Sequence, residues 1–204
     1  MKKRILVKGP LLSRSGYGEQ SRFALRALRS REDLFDIYVI NTPWGSTGQV
    51  SLKCEDREWI SDRLIQTAQY THAQQTINPE GTNLFDISLQ ITIPNEFEKM
   101  APVNVGYTAG IETTKVAGEW IYKSNATMDR LITISDHSAK VFRETTYDVT
   151  DPTGNKVPGW GLQIPIDYVD YPVRTCGIEP APLDLELETD KNFLVIAQWG
   201  PLGS

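Results

Sequence analysis

The chain is short of the residues that build metal centres and covalent frameworks. Cys54 and Cys176 are its two cysteines, and it has two histidines. Scattered as they are over 204 residues, they exclude a disulfide scaffold and argue against a structural zinc site. No window approaches the about 18 consecutive apolar residues of a membrane-spanning helix. Lys2, Lys3 and Arg4 precede only Ile5-Leu6-Val7, which is too short an apolar run for a signal peptide. Basic residues are not in excess: 21 Lys and Arg stand against 26 Asp and Glu, a net charge of -5. A general nucleic-acid binder is more often basic, so no specific nucleic-acid partner is expected. What remains is an ordinary globular composition, long enough for one large domain or slightly more. The expectation is a soluble, cytoplasmic protein.

Apolar runs alternate with helical patterns along the first three quarters of the chain. Lys3 to Lys8 reads as a buried strand closed by Gly9-Pro10. Residues 17 to 30 place Phe23, Ala24, Ala27 and Leu28 on one helical face, with Arg22, Arg26 and Arg29 elsewhere. Further strands are read at Ile37 to Ile40, Ile87 to Ile91, Val103 to Tyr107 and Leu131 to Ile134. Helices are read after Glu55, carrying Trp59, Ile60, Leu64 and Ala68, and over residues 115 to 128. Ser135 is placed to N-cap another helix running to about Thr146. Such alternation predicts an α/β fold, a Rossmann-like doubly wound parallel sheet with helices on both faces.

After Tyr147 the texture changes. Asp151-Pro-Thr-Gly-Asn155 reads as a turn at the tip of a hairpin. Leu162 to Ile166 reads as a short strand, and Tyr171 to Glu188 as a proline-bearing linker. Phe193 to Ala197 is one more apolar strand with no helix after it. The expected organisation is a first domain over 1–170, a linker over 171–190 and the opening strand of a truncated second domain over 191–201. Residues 202–204 read as the remnant of a protease cleavage site. An apolar strand without cover is expected either to fold back onto the first domain or to exchange with a second copy, giving a homodimer through residues 193–197.

Three segments could carry chemistry. The loop Lys8 to Gly18 joins a strand to a helix N-terminus, where Gly16 and Gly18 would let backbone N–H groups approach an anion. The same glycines could instead serve a tight turn. Its spacing is neither a P-loop nor Gly-x-Gly-x-x-Gly. Gly106-Tyr-Thr-Ala-Gly-Ile-Glu112 follows a strand whose carboxyl end is where open α/β sheets bind ligands. Glu112 could orient a hydroxyl or act as a base, or be a plain surface carboxylate. Ser135-Asp136-His137 opens a helix after another strand, and His137 reads as a first-turn surface residue. Trp44, beside Gly45, could stack on a sugar ring or close a packed turn.

Val105-Gly-Tyr-Thr108, Glu112-Thr113, Trp120, Asn125, Met128-Asp129, Ile134-Ser135 and Phe142 together resemble a recurring stretch of family 4-like glycosyltransferases of the GT-B fold. Gly9 to Arg22 resembles the first glycine-rich loop of that family, and Phe193 to Pro201 the strand that begins its second domain. The resemblance implies two Rossmann-like domains facing across a cleft. The N-terminal one chiefly binds the acceptor. The C-terminal one binds a nucleotide-sugar donor and is missing here. The resemblance implies transfer that retains anomeric configuration and needs no metal or cofactor, the nucleotide-sugar being a co-substrate. Many members carry a His after the fourth strand, where this chain has Glu112 nearby.

On that reading Glu112 is the catalytic residue. Ser15, Gly16, Tyr17, Gly18, Thr108, Thr113 and Ser135 bind the donor phosphate or substrate, and Trp44 stacks on sugar. The partners are a nucleotide-sugar donor and a glycan, lipid or protein acceptor. This chain alone is expected to be inactive. A different-class alternative is a stand-alone Rossmann-like binding domain without catalysis. An epimerase or reductase is disfavoured because Gly-x-Gly-x-x-Gly and Tyr-x-x-x-Lys are absent.

Overall fold

Strands of a parallel sheet are covered on both faces and so tolerate unbroken apolar runs. β1 (Lys3–Gly9), β2 (Phe35–Asn41), β3 (Ile87–Ile91), β4 (Val103–Tyr107) and β5 (Arg130–Thr133) form at such runs in a computed structural model of the protein. The structure describes residues 2–51, 54–77, 83–150, 153–173 and 189–193. β8 (Ile166–Tyr168) completes a six-stranded sheet of order β2-β1-β3-β4-β5-β8, parallel throughout. Helices α1 (Gly16–Arg29), α2 (Glu55–Ile77), α3 (Gly118–Thr127) and α4 (Asp136–Glu144) flank it. β6 (Thr146–Thr150) and β7 (Lys156–Gly161) form a separate antiparallel hairpin. The fold is thus α/β and Rossmann-like.

Side chains alternate across a strand, so each strand serves two cores. Ile5, Val7, Ile37, Val39, Ile91 and Tyr107 pack on one face with Leu25 of α1 and Ile60 of α2. Leu131 and Ile166 pack on the other with Phe97, with Ile121 of α3 and with Phe142 of α4. α2 also shields the edge of the sheet, where the Thr67 hydroxyl accepts the Val39 N–H at 2.9 Å.

The connection from β3 to β4 has no α-helix. After a 3₁₀ turn at Pro94–Glu96 the chain crosses the second face as an irregular segment. Its backbone groups need partners, and buried polar side chains of the sheet supply them. Gln90 accepts the Glu98 N–H and donates to the Glu98 carbonyl. Asn104 Oδ1 accepts the N–H groups of Met100 and Ala101. Phe97 packs directly on the β4 backbone: a Cβ on Gly106 would lie 2.6 Å from its ring.

Three boundaries differ from the sequence reading. The strand expected at 162–166 begins only at Ile166. Pro165 has no N–H to donate, and Leu162 and Ile164 pack into the second core without joining a strand. The helix expected over 115–128 begins at Gly118, with Ala117 at its N-cap still extended (φ −60°, ψ 140°) and the Val116 N–H donating to Thr145 Oγ1 at 3.2 Å. α2 continues well past Ala68, to Ile77. The chain divides into two units, 1–172 and 173–204. Phe193 is exposed, while residues 194–197 of the expected last strand, Cys176 and Trp199 lie outside the described residues. No helix among the described residues is long and apolar enough to cross a membrane.

Candidate functional site

The chain runs from β1 outward to β2, then crosses back over β1 to β3. That reversal makes the carboxyl ends of β1 and β3 the switch point where open α/β sheets bind ligands. The loop after β1 is held rigidly there. Arg22, only 4% exposed, donates to the carbonyls of Leu11 at 2.8 Å and Ser13 at 2.9 Å, and its other nitrogens bond Glu19. Ser13 Oγ reaches Ser15 Oγ at 2.9 Å and Thr47 Oγ1 at 2.6 Å. In the sequence Arg22 lies off the apolar face of its helix. A guanidinium that satisfies two carbonyls is buried without an apolar signal.

Ser15 N-caps α1 by accepting the Gly18 N–H at 3.1 Å. Gly18 is buried, and a Cβ there would lie 2.2 Å from the Ser13 carbonyl oxygen. Its glycine is therefore required by packing, and its amide already serves the cap. Gly16 is different: it is exposed, with nothing within 4 Å of an added Cβ. The amides of Gly16 and Tyr17 have no acceptor among the described residues. They form the open end of the helix dipole. The Tyr171 hydroxyl donates to the Gly16 carbonyl at 3.1 Å.

Tyr17 joins this loop to β4. Its hydroxyl lies 3.0 Å from Thr108 Oγ1 and accepts the Ala109 N–H at 3.1 Å. Burial pushes its pKa up, partly offset by those hydrogen bonds. Thr108 is buried, and its carbonyl accepts from Gln20 Nε2 at 3.2 Å. Trp44 packs against the Tyr17 ring, 4.6 Å between centres at 46°, and its carbonyl accepts from Thr47 within a turn that uses Gly45 at φ +49°.

The β4 and β5 ends complete the crevice. Ser135 N-caps α4 by accepting the Ser138 N–H at 3.1 Å, and Ser138 Oγ accepts the Ile111 N–H at 2.9 Å. That second bond ties the loop holding Glu112 to α4. Glu112 is exposed and makes no hydrogen bond or ion pair among the described residues. Thr113 is exposed, with its hydroxyl donating to the Lys115 carbonyl at 2.8 Å. His137 is an exposed first-turn residue of α4.

The fold thus brings Ser15, Gly16, Tyr17, Gly18, Thr108, Glu112, Thr113 and Ser135 to the carboxyl edge of one sheet, with Trp44 packed on Tyr17. It commits the Ser15, Tyr17, Thr108 and Ser135 hydroxyls to internal bonds. What stays available for a ligand is the Gly16–Tyr17 amide end and the Glu112 carboxylate. Among the described residues no cluster of His, Cys, Asp and Glu could hold a metal ion. Compared with protein-family models, curated proteins and solved structures, the chain finds no match in any of the three.

Proposed function

We propose that the chain is the N-terminal, acceptor-side domain of a retaining, metal-independent GT-B glycosyltransferase acting in the cytoplasm. The observation that carries this reading is the Glu112 carboxylate, exposed in the loop after β4 and without a hydrogen bond or ion pair among the described residues. The resemblance in Val105 to Ser135 supports it. In the complete enzyme the nucleotide-sugar diphosphate would lie against the Gly16 and Tyr17 amides, where the helix dipole favours negative charge. Glu112 would orient the acceptor hydroxyl or the transferred sugar. The donor domain would supply the cations that hold charge on the leaving diphosphate. On this reading transfer requires those cations.

The committed hydroxyls favour one second reading, a binding domain without catalysis. The two separate on Glu112→Gln in the chain joined to its donor domain. A transferase loses about 100-fold in turnover, the scale of a positioned acid or base, with unchanged melting temperature. Full activity in the variant would overturn the assignment of Glu112.

A further inference from the structure

The switch point carries a second carboxylate that the sequence did not single out. β3 lies between β1 and β4 in the sheet, and at its carboxyl end the chain turns through Thr92 and the 3₁₀ turn Pro94–Glu96. Tyr17 reaches from the first turn of α1, which follows β1, to Thr108 and Ala109, which follow β4. A side chain that joins the ends of β1 and β4 passes the end of β3 between them. Glu96 stands at that end. Burial is the main cause of the raised Tyr17 pKa, and the Glu96 charge adds to it, as a carboxylate close to the phenol does.

Thr92 is 1% exposed, and its hydroxyl donates to Glu96 Oε2. A buried donor thus fixes one oxygen of a side chain that is otherwise exposed. Glu96 Oε1 makes no hydrogen bond, and the carboxylate no ion pair, among the described residues. The side chain is ordered before a ligand arrives, so binding does not have to order it.

A carboxylate only accepts hydrogen bonds, and its charge repels phosphate. This end of the crevice therefore suits a hydroxyl donor, not the diphosphate. The Tyr17 ring beside it, backed by Trp44, adds an apolar surface. A sugar ring offers both complements, hydroxyls at its edge and C–H groups on its face.

We propose that Glu96 binds the acceptor, its Oε1 accepting from a hydroxyl of a neutral sugar whose C–H face lies toward Tyr17. The proposal rests on the glycosyltransferase reading and narrows its acceptor to a glycan.

The test titrates the full chain with the methyl glycosides of glucose, galactose, mannose and N-acetylglucosamine, followed by amide NMR. At least one should shift residues 17 and 92–96, with a Kd of about 1–10 mM. Glu96→Gln keeps an acceptor for Thr92 at an exposed position and removes only the charge. It should weaken that glycoside about tenfold without lowering the melting temperature. Methyl glucuronide carries its own carboxylate, so it should bind the wild type more weakly than methyl glucoside, and the gap should close in Glu96→Gln. UDP, which probes the α1 amides, should bind the variant at least as well as the wild type. Failure of UDP to bind either chain counts against the donor placement and leaves Glu96 standing. No shift at 92–96 with any of the four glycosides, equal affinity in wild type and variant, or no discrimination against the glucuronide overturns the proposal.

Discussion

The Tyr17 hydroxyl stands 3.0 Å from Thr108 Oγ1 and accepts the Ala109 N–H, so the first turn of α1 is fastened to the end of β4. Tyr17→Phe deletes one oxygen and leaves the Thr108 hydroxyl and the Ala109 N–H without that partner. The expected cost is about 1–2 kcal/mol, read as a lower urea midpoint with unchanged slope. Stability equal to the wild type would show that the fastening contributes nothing.

Gly16 and Gly18 should respond oppositely to alanine. Gly16 has open space around it and does not have positive φ, so Gly16→Ala should be neutral or stabilising by up to about 1 kcal/mol. Gly18→Ala drives a Cβ into the Ser13 carbonyl, and the backbone must move. A loss of at least about 2 kcal/mol is expected. Thermal unfolding of the two variants decides the matter.

Arg22 holds the loop after β1 through two carbonyls and Glu19. Arg22→Met keeps much of the apolar stem but strands those acceptors. It should cost about 3 kcal/mol and raise hydrogen exchange in residues 10–15 before the rest of the sheet. Uniform exchange would place the damage elsewhere.

Stability should fall at both ends of the pH range. Side-chain hydrogen bonds from Arg4 hold the Asp86 carboxyl below the usual carboxylate range. A depressed folded pKa gives stability that is present above about pH 4 and lost as pH falls through the folded value. Arg4→Met should flatten this acid limb. Burial raises the pKa of Tyr17, so its contribution is present below about pH 10 and lost above it. Tyr17→Phe should flatten part of the alkaline limb. Denaturation series from pH 2 to 11 check both signs.

The apolar strands were legible because a sheet covered on both faces needs little but Val, Ile and Leu in short runs. Ser135 was legible as a cap because its hydroxyl precedes a helix at the right spacing. Arg22, Ser88, Gln90 and Asn104 were not. Arg22, Gln90 and Asn104 are buried by satisfying backbone groups of loops, and Ser88 by bonding the Gln90 and Asn104 side chains, and periodicity carries no trace of such bonds. The later part of α2 was missed because Gln69 to Gln75 lacks an apolar stripe. Tyr70 anchors it instead, packing on Tyr38 and Phe85 and accepting from Arg4. The glycine loop was half legible: its place at a helix start was readable, but which glycine packs and which stays open needed the Ser13 carbonyl.

The most direct measurement is a titration of the isotope-labelled chain with UDP- and GDP-sugars and with neutral oligosaccharides, followed by amide NMR. Shifts gathered at residues 15–18, 108–113 and 135–138, and lost for saccharides in Glu112→Gln, are the expected result. Shifts confined to other surfaces, or none with any nucleotide sugar or glycan, would contradict a glycosyltransferase site at the carboxyl edge of this sheet.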